Sequence, residues 1–486
     1  MSLVWLMYYG DVGIALWEWL LSIMYLIVIY MYFGRLKNMR QKRQPEYRHF
    51  IRGLFAKMIG GAAFALIYFY YFQGGDTLMY FYSAVSMTKL ATADPASFMQ
   101  VLFGANDDAH LAMFAALDAR PYGYMYFDPR SFMVIRLITP LVFLSFRSYL
   151  VTTLLFSSIC YIGIWRCYQT FVGYFPSLTN KFAIAFLYIP SVIFWGSGIM
   201  KDTLTISAAC WWVHCFDKVF FKKDELLYNI AGLVLAGVML ILLKPYIFMA
   251  LMPVTFLWLL YYKVVKLRNV LLRLIVLPLF MVISVVASVA TLRSLGDSLG
   301  KFSLDEALIT TKVLQEDMKR SEQYGDNYFD IGTIDGTMAG TLSKFPVAVN
   351  AALFRPYVWE SHNLVVLVSA LENAFLLGLS LLVLWQTRIW FFIRCIRRNP
   401  MVMMCIVFSL AFAFMIGLTT PNFGALVRFK IPLVPFFVSA LFIIAYLNKM
   451  RIHAKLSHKR FDLVAYIKGE PIPAPVRRVP IVVQDQ

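Results

Sequence analysis

Residues 35–57, "RLKNMRQKRQPEYRHFIRGLFAK", run straight into residues 58–72, "MIGGAAFALIYFYYF", and then into residues 73–80, "QGGDTLMY". Eight basic residues and one acidic precede fifteen without a charge, and an aspartate on two glycines follows. A long apolar run behind a Lys/Arg-rich segment reads as a membrane-crossing helix whose basic side stays in the cytoplasm. The whole chain repeats the theme. Of its 486 residues 60% are hydrophobic and 15% charged, and the mean hydropathy is +0.68. A soluble core cannot hide that much apolar surface. Several stretches have the roughly 20 apolar residues that cross about 30 Å of hydrocarbon. A transmembrane β-barrel would show short alternating segments instead. The expected class is an all-α, polytopic helical membrane protein.

About eleven spanning helices are expected, at 13–33, 55–72, 149–170, 182–198, 203–219, 226–243, 246–262, 270–291, 364–386, 401–418 and 430–447. Basic loops recur at Lys218/Lys222/Lys223, Lys263/Lys266/Arg268/Arg273 and Arg388/Arg394/Arg397/Arg398, and the tail is basic too. On this layout the whole +18 net charge falls on one face, which places the N-terminus outside and the C-terminus in the cytoplasm. Counting "RSFMVIRLITPLVFLSF" (130–146) as a span would invert every later loop, so it is expected to be a re-entrant or interfacial helix on the outer face. The organisation is then two helices with a basic loop (1–72), a first outer loop (73–148), a six-helix block (149–292), a second outer loop (293–363), three helices (364–447) and a basic tail (448–486). The second outer loop carries a polar helical stretch, "SLDEALITTKVLQEDMKRSEQ", and a Gly/Asp-rich loop. The first apolar run lacks the small-residue cleavage site of a signal peptide. The six cysteines lie in or beside apolar runs, without metal-ligand spacing and without a disulfide framework. Multi-pass localisation in a bacterial inner membrane is expected, with membrane lipids and no nucleic acid as partners.

Ionisable groups at one level of the outer face stand out. Asp76 follows the second helix. "FWGSGIMKDTL" presents Lys201 and Asp202, and "LLKPYIF" presents Lys244 and Tyr246. "LFRPYVWESHN" presents Arg355 and Glu360, and "TTPNFGALVRFKIPLVPFF" presents Asn422, Arg428 and Lys430. Charge beside apolar spans is costly, so each is a functional candidate. Ordinary alternatives exist for each. Asp76 can cap its helix, Lys201–Asp202 can be a solvated turn, and Lys244, Arg428 and Lys430 can be interface anchors. Glu372 can be a buried carboxylate paired with an arginine. Taken together, one carboxylate and several cations suit a sugar carried on a polyprenyl phosphate. Lysine and arginine would meet the phosphate, and Asp76 would act as general base on an acceptor hydroxyl. The neighbouring glycines would let substrate approach the backbone.

A long, acidic first outer loop that opens on aspartate after an early helix resembles the GT-C class of polytopic glycosyltransferases, which includes protein O-mannosyltransferases, oligosaccharyltransferases and bacterial lipid-linked arabinosyl- and aminoarabinosyltransferases. The motifs "GGDTLMYFYSA", "PSVIFWGSGIMKDTL" and "NFGALVRFKIPLVPFF" also resemble those of uncharacterised bacterial membrane proteins grouped with that class. The resemblance is architectural and covers most of the chain. It implies a polyprenyl-(di)phosphate sugar donor, a glycan, lipid or protein acceptor, and a carboxylate base that falls on Asp76. Donor-phosphate contacts would fall on Lys201 and Arg428. Two departures are plain: a helix precedes the usual first span, and no second acid adjoins Asp76. Candidates for that acid are Asp107, Asp108, Asp118 and Asp128. Asp107, Asp108 and His110 could hold a divalent cation, though a solvated loop is the simpler reading. No other cofactor is implied. Competing functions are a lipid-linked polysaccharide polymerase or ligase working through loop 293–363, a lipid-glycan flippase, and a non-enzymatic envelope-assembly subunit.

Overall fold

The computed structural model describes residues 14–117, 119–264, 338–361 and 364–456, with isolated positions between 279 and 332. Among these the chain is helical, and its one β feature is an isolated bridge between Tyr328 and Asn422. Eight described helices are long and apolar enough to cross a membrane. The protein is thus an all-α, multi-pass membrane protein. The expected span at 270–291, the polar stretch 303–323, Asp118 and the tail beyond residue 456 lie outside the described residues.

The chain begins with α1 (Leu16–Gln41). Only 11% of its apolar window is buried, so its hydrophobic surface faces outward along nearly its whole length. Helix α2 (Phe50–Leu66) is extended by a π turn to Tyr71. Three short helices between two longer ones follow: α3 (Asp76–Ala93), α4 (Pro95–Phe103), α5 (Asp108–Ala112), α6 (Gly123–Phe127) and α7 (Pro129–Leu144). Then come α8 (Tyr149–Tyr174), α9 (Thr179–Ala183), α10 (Pro190–Phe194), α11 (Lys201–Phe216), α12 (Leu226–Leu243) and α13 (Pro245–Val264). The described C-terminal part holds α14 (Met338–Ser343), α15 (Phe345–Phe354), α16 (Leu364–Arg398), α17 (Pro400–Thr419), α18 (Phe423–Phe429) and α19 (Val434–Leu456).

Local chemistry sets many of these starts. Proline occupies the first position of α4, α7, α10, α13 and α17, where its missing N–H costs nothing. Asp94, Asp128, Ser148, Asn399 and Asn422 cap the helices that follow them by accepting free backbone N–H groups. Inside the bundle, small residues let helices approach closely. A Cβ on Gly163 of α8 would lie 2.3 Å from the Ser207 carbonyl of α11, and one on Gly61 of α2 would lie 2.4 Å from Ser157 Oγ.

The register of α8 against α11 shapes one end of the molecule. Gly163 packs on Ser207, Thr170 Oγ1 meets His214 Nδ1 at 2.8 Å, and Tyr174 donates to Asp217 at 2.7 Å. The two helices are therefore parallel with a constant offset, and Lys201 lies about eight residues, or ~12 Å, deeper than the start of α8. Helix α7 connects these levels. Its cap, Asp128, bonds Lys201 at 2.8 Å. Just past its far end, Arg147 donates to Thr88 at 3.1 Å, and Ser148 donates to Glu18 of α1 at 2.8 Å. The segment expected to be re-entrant or interfacial is thus one 16-residue helix held between a recessed and an outermost layer of the same end. Its Arg136, out of place on an apolar run, donates to the carbonyls of Val101 and Gly104 at 2.9 and 2.6 Å, closing the end of α4.

Three expected spans change form. The segment 182–198 is not one helix: α9 passes into a π turn, and the chain extends at Ile189 before Pro190 opens α10. The residue before a proline is pushed out of the helical region, and hydropathy carries no trace of that break. Segment 203–219 becomes the 16-residue α11 with a π turn to Lys222. The last span starts at Val434 rather than 430, because Lys430 is the C-cap of α18 and opens the turn that precedes α19. The ninth span, α16, is kinked at Arg388, where φ is 57°, so its basic end leaves the apolar line. The end of the second outer loop is not solvated throughout either, since α15 packs on α17 and buries Ala348, Val349, Ala351, Ala352 and Leu353. All six cysteines are buried free thiols.

Candidate functional site

The recessed layer is built from helix starts and helix ends contributed by distant segments. Lys201 and Asp202 open α11, Lys244 closes α12, Arg428 sits in the last turn of α18, and Asp76 opens α3. Five charged groups separated by up to 352 positions in sequence (76 to 428) thus meet at one level.

Asp202 is the hub. It is 3% exposed, and one carboxylate oxygen accepts from Lys244 Nζ, itself a buried ammonium. Its other oxygen lies 3.3 Å from Arg428 Nε. That contact is ionic rather than a hydrogen bond, for Arg428 Nε is buried without an aligned acceptor. A second arm of the same guanidinium, Nη1, lies 3.7 Å from Asp76 Oδ2. Lys244 also sits over the Phe429 ring at 4.0 Å, an arrangement that favours a desolvated cation. Tyr68 and Tyr80 lie within the field of the same groups.

Asp128 extends the cluster sideways. It accepts from Lys201 Nζ at 2.8 Å, from the Ser131 hydroxyl at 2.6 Å, and from the Arg130 and Ser131 backbone N–H groups at 3.3 and 3.2 Å. Burial pushes its pKa upward, but these bonds outweigh it and hold the carboxyl below its ordinary value.

Asp76 differs from both neighbours. Its side chain is 41% exposed, and it is the first residue of α3, whose N-cap is Gly75 with no side-chain cap bond. The capping alternative is therefore not what the structure shows, although a negative charge at a helix N-terminus is favourable in itself. Gly75 has φ +104°, and a Cβ there would lie 2.9 Å from the Tyr68 ring. This glycine serves the turn that aims Asp76, so close substrate approach to the backbone is not needed to explain it.

Other expected site residues are placed elsewhere. Lys430 points away from Arg428 and bonds Asn373 Oδ1 in α16, beside Glu372. Glu372 is not paired with an arginine; it accepts from Ser191 N at 2.7 Å and Ser191 Oγ at 2.6 Å, so it caps α10 from across the bundle. Arg355 and Glu360 close on each other, with Arg355 Nε 3.0 Å from Glu360 Oε1, and the guanidinium lies over the rings of Phe329 and Phe423. Asn422 caps α18, accepting from Ala425 N at 3.0 Å. Asp107 caps α5 and accepts from His110 N and Nδ1 at 2.9 and 2.6 Å, with Asp108 in the first turn. These bonds to His110 hold the Asp107 pKa below its ordinary value. The trio proposed for a divalent cation is a helix cap, and among the described residues no three His, Cys, Asp or Glu side chains are grouped to hold a metal.

Lys57 escaped the sequence reading. It is buried in α2 and donates to the Gly196 carbonyl in the turn after α10. The signal was present as a lone lysine inside an apolar run, hidden by its nearness to the basic cluster. Comparison with protein-family models, curated proteins and solved structures returns no match.

Proposed function

We propose that the protein is an integral-membrane glycosyltransferase of the bacterial inner membrane. It would move a sugar from a polyprenyl-(di)phosphate donor to an acceptor hydroxyl at the extracytoplasmic face, in the manner of the GT-C class it resembles. The observation that carries this reading is the asymmetry of the recessed cluster. Asp128 and Asp202 are saturated by lysine, arginine and backbone partners, while Asp76 keeps a 41% exposed side chain 3.7 Å from the Arg428 guanidinium. A general base needs an accessible lone pair within reach of the proton it takes.

In the proposed step the acceptor oxygen attacks the anomeric carbon as Asp76 takes its proton. The carbon–oxygen bond to the phosphate breaks, and the polyprenyl phosphate leaves with the electron pair. Arg428, with Lys201 and Lys244 behind it, offsets the charge developing on that leaving group. Lys430, Arg355, Glu360 and Asn422 fall outside this assignment because none of their partners belongs to the recessed cluster. Incubating the purified protein with a panel of polyprenyl-phosphate sugars and simple acceptors tests the reading. Mass spectrometry should find free polyprenyl phosphate and a glycosylated acceptor for at least one donor. Intact donor across a panel covering hexoses, pentoses and amino sugars would contradict it.

A lipid-glycan flippase is favoured by one observation. The interrupted span α9–α10, with Glu372 on the α10 N-terminus and Lys430 beside it, has the form of a broken membrane helix around a polar group. That reading expects Glu372→Gln to block passage of donor across vesicles while leaving sugar transfer by the purified protein intact.

A further inference from the structure

At the end of the bundle away from Asp76, the last turns of α1 and the first turns of α2 frame a groove of about 520 Å³. Four cations line it: Arg35 and Lys37 from α1, Arg48 from the connecting turn and Arg52 from α2. Among the described residues no carboxylate pairs with Arg35, Lys37 or Arg52. Among the described residues Arg48 bonds only neutral acceptors, Asn180 Oδ1 at 2.6 Å and His49 Nε2 at 3.2 Å. Asn38 and Gln41 add uncharged hydrogen-bonding groups on the same wall. One turn further into α1 the wall becomes apolar, with Tyr30 57% and Met31 54% exposed, continuous with the outward-facing surface of that helix.

We propose that this groove holds the phosphate headgroup of an anionic phospholipid whose acyl chains lie along α1. Concentrated cations at a membrane interface attract anionic lipid, by about 1 kcal/mol for each lysine or arginine near the surface. Loop charges that only set membrane orientation have no need of a shared groove. A free phosphate would use the cations but not the apolar wall above them, so the two-part lining selects a lipid. Gly34 is part of the lining and leaves room beside it: a Cβ there would meet nothing within 4 Å.

The test uses the full chain purified in a neutral detergent, with phosphatidylglycerol, phosphatidylcholine or inorganic phosphate added, and reads melting temperature and lipid adducts by native mass spectrometry. Wild type should show a saturable rise in melting temperature and retained adducts with phosphatidylglycerol alone. Arg35→Gln/Arg52→Gln should weaken that affinity by roughly thirtyfold, from two lost interactions at a tenfold change per 1.4 kcal/mol. Gly34→Leu keeps every charge and fills open space, so it should fold as wild type does and lose the same response. An equal response from Gly34→Leu and wild type would overturn the proposal. So would an equal response to phosphatidylcholine, or its reproduction by inorganic phosphate.

Discussion

Asp202→Asn and Asp76→Asn each remove one negative charge from the same guanidinium, yet they should differ sharply in their effect on stability. Asp202 is 3% exposed and holds both Lys244 and Arg428. At 3.3 Å and an effective dielectric of 20, its direct attraction to Arg428 is about 5 kcal/mol. Much of that offsets desolvation, but deleting one partner of a buried set leaves the others uncompensated, at a cost of about 3–5 kcal/mol. Asp76 faces the same arginine at 3.7 Å with 41% of its side chain exposed. In a water-like dielectric that attraction is about 1 kcal/mol, and exposed pairs contribute between about 0 and 1. The two variants and Asp202→Asn/Lys244→Met can be compared by unfolding in mixed detergent–SDS micelles, followed by tryptophan fluorescence. Asp202→Asn should be the least stable, and adding Lys244→Met should restore part of the loss because the stranded ammonium is gone. Equal destabilisation by the two single variants would refute the division between a structural and an accessible carboxylate. So would an Asp202→Asn variant within about 1 kcal/mol of wild type.

Two further outcomes follow from individual contacts. Asp128 has a folded-state pKa below its ordinary value, so its cap and its bond to Lys201 contribute stability that is fully present above the ordinary carboxylate range and lost as pH falls through the lowered value. Thermal melts of wild type should therefore lose stability in acid more steeply than those of Asp128→Asn; parallel pH profiles would contradict the assignment. Gly75→Ala forces a side chain onto φ +104° and against the Tyr68 ring, which should cost about 1–3 kcal/mol in the same unfolding measurement. Because the turn aims Asp76, sugar transfer should fall as well, and an alanine variant as stable and active as wild type would show that the turn is not needed.

Much of this arrangement was legible in the sequence. Hydropathy located eight helices that persist, and the distribution of lysine and arginine put Asp76, Lys201, Asp202, Lys244 and Arg428 at one end, which is where they meet. The reason is simple: residues at alternate span ends must share a face, whatever the packing inside. Pairing was not legible. Arg428 and Lys430 are two residues apart around a helical turn, so they face different sides; one meets Asp202 and the other Asn373. Arg355 was read as a phosphate contact and Glu360 as a further candidate because sequence cannot show that they close on each other. The interruption at Ile189–Pro190 was hidden because both flanks are apolar. Its compensation, Glu372 on Ser191, crosses 181 positions of sequence.

Sugar transfer by the Asp76→Asn variant is the most direct measurement. Wild type and variant, purified alike and matched for melting temperature and donor binding, are given the same polyprenyl-phosphate sugar and acceptor. Loss of the proposed base should lower turnover by about 10²–10⁴-fold with donor affinity little changed. Turnover equal to wild type in the folded, donor-binding variant would leave Asp76 without a role in the chemistry.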